Sequence, residues 1–263
     1  MTPPLPIFPL FSPDTLSVGT LVTLPCAEVA EVLALCGFDW LWIDCEHAPL
    51  DALHVQHMVQ AVAGRAACLA RLPTSELVGI SQMLDAGCDG VIVPQVRTAA
   101  QARAAVAACC YPPRGVRGMG LGRASGYGGD LARHLRVAND TVAVVLQLEH
   151  AEAIENCEDI LGVPGVSAVV MGPYDLSGSL GHPGAVDHPD VVSAIESVLA
   201  SAVRRRVPCG VFTATRAGFD VWRARGATVA AIGADVLFLS SAARAAIEGL
   251  DRKNSTEGLE RGI

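Results

Sequence analysis

Leu41-Trp42-Ile43-Asp44-Cys45-Glu46-His47 is an apolar run that breaks into acids and a histidine. The pattern returns twice, where Val142-Ala143-Val144-Val145-Leu146 leads into Gln147-Leu148-Glu149 and Val169-Val170-Met171 leads into Gly172-Pro173-Tyr174-Asp175. Short aliphatic runs bounded by polar and turn residues suit strands covered on both faces, as in a parallel sheet. If the strands close into one barrel, their ends converge on a single rim, the place where such barrels keep their chemistry.

Outward from these runs, periodicity predicts strands at residues 18–24, 41–44, 68–71, 90–94, 142–149, 168–171, 209–212 and 228–232. Helices are predicted at 27–35, 53–62, 77–86, 99–108, 131–139, 151–160, 191–204 and 235–250, the first closed by Cys36-Gly37 and the seventh opened by Pro189. Eight strands alternating with helices argue for an α/β fold, a single-domain (β/α)₈ TIM barrel, over a doubly wound sheet. The chain divides into an extended N-terminal segment (1–17), the barrel (18–250) and a polar C-terminal tail (251–263). One stretch interrupts the alternation: residues 114–130 hold seven glycines, and a loop of that length in a compact domain usually serves function.

Of the 263 residues 51% are apolar, enough for a large core, and the net charge is −8. Arg204-Arg205-Arg206 is the only basic run and suits the last turn of a helix, so a nucleic-acid partner is not expected. No apolar run reaches about eighteen residues and the proline-rich start has no basic leader pattern, so the expectation is a cytoplasmic protein without membrane contact. The nine cysteines form no C-x-x-C pair and read as reduced, buried small hydrophobes. Lys253, in the polar tail, is the single lysine. Schiff-base chemistry needs an amine desolvated in a pocket, and a Walker-type loop needs a lysine beside its glycines, so both are disfavoured.

Glu149 and Asp175, at the ends of two rim strands, form an oxygen-only pair suited to Mg²⁺ or Mn²⁺, with Co²⁺ a further candidate. The alternative is that Glu149 caps the helix at 151–160 and Asp175 caps a turn at Leu176-Ser177. His47 follows Asp44 by three residues, and a carboxylate that fixed its tautomer would make it a general base. Arg71, at the end of the third strand, points a permanent cation at the same rim, either to hold a carboxylate or enolate oxygen or to pair with Asp44 or Glu46. Gly118-x-Gly120-x-Gly122 is not a dinucleotide fingerprint. His54 and His57 read as exposed helix residues, and His182 and His188, each before a proline, have no clear partner.

The segments 37–49, 111–118, 147–149 and 172–177 together resemble the HpcH/HpaI aldolase family of metal-dependent pyruvate aldolases, in order and spacing over about residues 19–250. The resemblance implies a (β/α)₈ barrel that assembles as a homo-oligomer, commonly a hexamer built as a trimer of dimers, with the final helix exchanged between subunits. It implies reversible cleavage of a 4-hydroxy-2-oxo acid to pyruvate and an aldehyde through an enolate stabilised by a divalent ion. By the same resemblance Glu149 and Asp175 are the metal ligands, His47 with Asp44 the base, and Arg71 the enolate-stabilising group. Gln147 then lies near a metal-bound water, and the backbone of Gly172, Pro173 and Tyr174, up to Asp175, holds the pyruvate carboxylate. Tyr174 stands where many members have Ala or Ser, and residues 19–24 lack a tryptophan that some members carry there. Alternatives are an acyl-CoA lyase of the citryl/malyl-CoA type and a non-catalytic barrel that binds a keto acid or metal.

Overall fold

The computed structural model describes residues 10–73 and 79–250. The first residues of the expected N-terminal segment, the start of the helix predicted at 77–86, and the whole tail with Lys253 lie outside the described residues. Eight parallel strands close into a barrel in sequential order, β1 pairing with β8. They are β1 (Ser17–Val22), β2 (Trp40–Asp44), β3 (Ala67–Arg71), β4 (Gly90–Val93), β5 (Ala143–Leu148), β6 (Ala168–Met171), β7 (Cys209–Thr213) and β8 (Val229–Ala234). The helices are α1 (Ala27–Leu35), α2 (Ala52–Val62), α3 (Ile80–Asp85), α4 (Ala99–Cys109), α5 (Leu131–Thr141), α6 (Ala151–Glu155), α7 (Cys157–Leu161), α8 (Pro173–Ser179), α9 (Pro189–Arg205), α10 (Arg216–Arg223) and α11 (Asp235–Ile247). Among the described residues no helix is long and apolar enough to cross a membrane.

Side chains alternate across each strand and divide the core in two. Leu41, Ile43, Cys68, Ala70, Val91, Val93, Val144, Leu146, Val169 and Met171 face the helices. Trp40, Trp42, Leu69, Ile92, Val145, Val170, Val229 and Ala231 fill the barrel interior. The tryptophans stack with ring centroids 6.3 Å apart, and Phe11 meets Trp40 edge-on at 5.7 Å. Their bulk is accommodated by β1: a Cβ on Gly19 would strike the Trp40 ring.

Three elements differ from expectation. The helix predicted at 151–160 is broken at Asn156, whose Nδ2 donates to the Arg97 carbonyl at 3.0 Å, so a tertiary hydrogen bond interrupts the run between α6 and α7. Helix α10, capped by Thr215 Oγ1 accepting from Gly218 N at 3.2 Å, lies outside the predicted helices, although Phe219 and Trp222, one turn apart, pack on the core. Helix α8 occupies what reads as a turn after β6. The cysteines are all free and mostly buried, and burial pushes the Cys45 and Cys109 thiols up to about 12, so they pack as hydrophobes.

Candidate active site at the C-terminal rim

The alternation that fills the interior also selects the site. On β2 the inward parity runs Trp40, Trp42, Asp44; on β3 it runs Ala67, Leu69, Arg71; on β5 it runs Ala143, Val145, Gln147 and continues to Glu149; on β6 it runs Ala168, Val170 and continues to Gly172. Four strands therefore hand their last inward residue to one buried rim, and Asp44, Arg71, Gln147 and Glu149 are each at most 5% exposed.

Asp44 and Arg71 are register partners on adjacent strands. Arg71 Nε donates to Asp44 Oδ1 at 3.0 Å and Nη2 to Oδ2 at 2.6 Å, a bidentate pair. Arg71 Nη1 donates to Gln147 Oε1 at 3.4 Å and lies 3.2 Å from Glu46 Oε2, and the guanidinium sits 5.1 Å from the Trp42 ring centroid. Burial raises the Asp44 pKa, but Arg71 and the N–H groups of His47 and Glu46 outweigh it and hold the carboxyl below the ordinary aspartate value.

This pairing corrects one expectation. Asp44 receives the backbone N–H of His47 at 3.1 Å and of Glu46 at 3.0 Å, but its carboxylate is committed to Arg71 and does not orient the His47 ring. The carboxylate beside the exposed imidazole is Glu46, with Oε2 3.7 Å from His47 Nε2. Glu46 continues the inward parity of 42 and 44, a signal present in the sequence and not used. Its Oε2 is buried without a hydrogen-bond partner among the described residues, and burial raises its pKa.

Glu149 accepts the Gln95 N–H at 3.0 Å and the side-chain amide of Gln147. Gln95 was also missed; it holds its amide there with a left-handed φ of 55°, an uncommon conformation for a residue with a side chain. Burial, with the Asp175 and Glu46 charges adding to it, pushes the Glu149 carboxyl up to about 7 against the Gln95 hydrogen bond. Neither rim acid is a helix cap. The cap of α6 is His150, whose Nδ1 accepts from Glu152 N at 3.1 Å, and exposed Asp175 in the first turn of α8 makes no side-chain hydrogen bond among the described residues. Gly172 leaves room above Glu149: a Cβ there would lie 2.5 Å from Glu149 Oε2 and 3.0 Å from Gln147 Nε2. Pro173 is buried and, lacking an N–H, donates to nothing, while Tyr174 is 56% exposed.

The rim thus gathers Asp44, Glu46, Glu149 and Asp175 around a single guanidinium, Arg71. Oxygen donors in excess of cations, two of them perturbed upward, fit a hard divalent ion. At the seam where β8 meets β1, Asp235 has a different job: its carboxylate accepts Thr23 N and Leu24 N at 2.8 Å and Thr23 Oγ1 at 2.7 Å, lacing the strand ends together.

Comparison with known proteins finds that residues 19–242 match the family described as HpcH/HpaI aldolase/citrate lyase. The chain is similar to the hydroxypyruvate/pyruvate aldolase of Cupriavidus necator, 39% identical over 86% of this chain and 85% of that protein. It is also similar to the 5-keto-4-deoxy-D-glucarate aldolase of Klebsiella pneumoniae, 37% identical over 86% of this chain and 88% of that one. Among solved structures, a HpcH/HpaI aldolase/citrate lyase family protein from Burkholderia cenocepacia superposes with a TM-score of 0.86 at 35% identity, covering 89% of this chain and 94% of that chain.

Proposed function

The chain belongs to the HpcH/HpaI aldolase/citrate lyase family, and from that premise we propose that it is a divalent-metal-dependent aldolase. In this reading it reversibly cleaves a 4-hydroxy-2-oxo acid to pyruvate and an aldehyde. The observation that carries it is the charge imbalance of the rim, where buried Asp44 and Glu149, half-buried Glu46 and exposed Asp175 face one guanidinium.

Glu149 and Asp175 would hold Mg²⁺, Mn²⁺ or Co²⁺, with Gln147 fixing the Glu149 carboxylate and Gly172 leaving the space beside it. Such an ion, when bound, supplies Lewis-acid polarisation of the 2-oxo group. Arg71, locked by Asp44, presents its guanidinium edge where negative charge collects on the 2-oxo oxygen as the C3–C4 bond breaks. His47, exposed on the substrate side and adjoined by Glu46, takes the C4 hydroxyl proton in cleavage and delivers a proton to C3 of the departing pyruvate. The N–H groups of Tyr174 and Asp175, in the first turn of α8 where no intrahelical acceptor exists, receive the substrate carboxylate. Pro173 shapes that turn and Tyr174 stands at its mouth.

The assembly in this reading is the homo-oligomer the resemblance implies, a hexamer formed as a trimer of dimers with α11 exchanged, and what supports association is the exposure of α11. After Asp235 its side chains are exposed, including Val236, Leu237, Phe238, Leu239 and Ile247. An apolar helix in this position is stabilised by covering it with another subunit.

The direct test is exchange of pyruvate methyl protons with solvent deuterium, followed by NMR. Exchange is expected with Mn²⁺ or Mg²⁺, to be abolished by exhaustive chelation, and to return on readdition. Undiminished activity after chelation, or a borohydride-trapped enzyme–pyruvate adduct, overturns the reading.

A further inference from the structure

Beyond the rim, two histidines that the sequence left without partners find each other. The loop from α8 to α9 carries Gly181-His182-Pro183-Gly184 and His188-Pro189-Asp190. Its backbone is set by His182 N donating to Ser177 O at 2.8 Å, Ala185 N to His182 O at 2.9 Å and His188 N to Ala185 O at 3.0 Å, with left-handed glycines at 181 and 184. The two imidazoles stack with centroids 3.5 Å apart and planes 19° from parallel. Asp190 Oδ2 lies 3.0 Å from His182 Nε2 and 3.6 Å from His188 Nδ1. Donor atoms from all three residues lie within 4.8 Å of one another.

His188 Nδ1 accepts the Asp190 N–H at 3.3 Å and caps α9, so an ion bound there exchanges that hydrogen bond for a ligand bond. Two imidazole nitrogens and one carboxylate oxygen form a borderline donor set, unlike the oxygen-only rim, and match Zn²⁺ or Cu²⁺.

We propose that His182, His188 and Asp190 form a second metal site, for a first-row transition ion such as Zn²⁺, that clamps the α8–α9 loop. The ion replaces the proton shared by His182 and Asp190. The clamp reaches the rim through fully buried Ser177, whose Oγ accepts from Gly184 N at 2.9 Å and donates to Tyr174 O at 2.6 Å. Its role is positional: it fixes the helix that carries Tyr174 and Asp175.

Zinc calorimetry on the untagged full chain is expected to resolve one set of sites lost in Glu149→Gln/Asp175→Asn and a separate one lost in His182→Ala/His188→Ala. His188→Asn, which keeps a helix-capping acceptor, is expected to weaken the second site by at least about 10-fold. With Cu²⁺ as the probe, paramagnetic resonance of the Glu149→Gln/Asp175→Asn variant is expected to show coupling to two nitrogens that disappears when the histidines are also replaced. Unchanged zinc stoichiometry and affinity in both histidine variants, or a copper spectrum without nitrogen coupling, overturns the proposal. Because the carboxylate and histidine variants are read separately, failure here and failure of the rim assignment are distinguishable.

Discussion

The two ends of the barrel use carboxylates in opposite ways. At the N-terminal end, Gly37-Phe38-Asp39 precedes β2 and Gly87-Cys88-Asp89 precedes β4, and each aspartate reaches the neighbouring strand: Asp39 Oδ2 accepts Val18 N at 2.8 Å and Asp89 Oδ2 accepts Cys68 N at 2.8 Å. Before β6, Ser167 takes the same place with a hydroxyl, its Oγ accepting Val144 N at 3.0 Å. These groups complete the backbone ladder where it starts. At the C-terminal end, four carboxylates share one guanidinium and Glu46 Oε2 has no hydrogen-bond partner among the described residues. The acids at the strand starts are satisfied by the fold. At the strand finishes Asp44 and Asp235 are satisfied too, by Arg71 and by the β1 end, whereas Glu149, Glu46 and Asp175 are left for a ligand, at a cost in stability that function tolerates.

The comparison breaks most visibly at Glu149. Glu149→Gln removes a buried charge and a metal ligand together, so kcat/KM for cleavage is expected to fall about 10³-fold while Tm stays level or rises. A fall in Tm of several degrees with activity retained would make Glu149 a structural acid like those of the opposite rim. His47→Ala comes next, with a loss of about 10²-fold in rate and loss of pyruvate proton exchange at unchanged Tm, since its ring is largely exposed. Retained exchange would move the base elsewhere.

The sequence made the strands and the rim acids readable because both depend on local pattern. All eight strands were legible as short aliphatic runs, with Asp44, Arg71 and Glu149 at or just past their ends, and the structure adds which of these positions face inward. What escaped depends on contacts across the chain. The pairing of Arg71 with Asp44 was among the alternatives the sequence offered, and the β2–β3 register is what decides it; the break at Asn156 needs the Arg97 carbonyl; the histidine stack needs the fold of the α8–α9 loop. Glu46 was legible as a partner for Arg71, but its place beside the His47 ring emerges only once the β2 end is folded.

Asp89 sharpens the contrast through pH. Burial pushes its carboxyl up to about 6, against the Cys68 N–H and the Arg123 charge. A folded-state value above the unfolded one means that the protonated form favours folding: that stability is present in full below about pH 4 and is lost as pH rises through about 6. Asp89→Asn keeps an acceptor for Cys68 N without the ionisation. Relative to the wild type, the variant is expected to gain on the order of 2 kcal/mol between pH 4 and pH 8, measured as urea midpoints. A constant difference across that range would show that Asp89 titrates normally, with activity unaffected in either case.

The smallest effects separate two glycines. Gly37 sits before Asp39 at φ 91° with nothing within 4 Å of where a Cβ would go, so Gly37→Ala meets only backbone strain. It is expected to lose about 1 kcal/mol, or about 2–4 °C in Tm, with kinetics unchanged. Gly172 has an ordinary φ of −99°, and its difficulty is space: the new methyl would lie 2.5 Å from Glu149 Oε2. Gly172→Ala should therefore leave Tm nearly where it was and raise the metal concentration needed for half-maximal activity. If the two variants exchange these phenotypes, with Gly37→Ala impairing turnover and Gly172→Ala lowering only Tm, the division of labour between the rims fails, because each glycine then serves the end of the barrel where it does not lie.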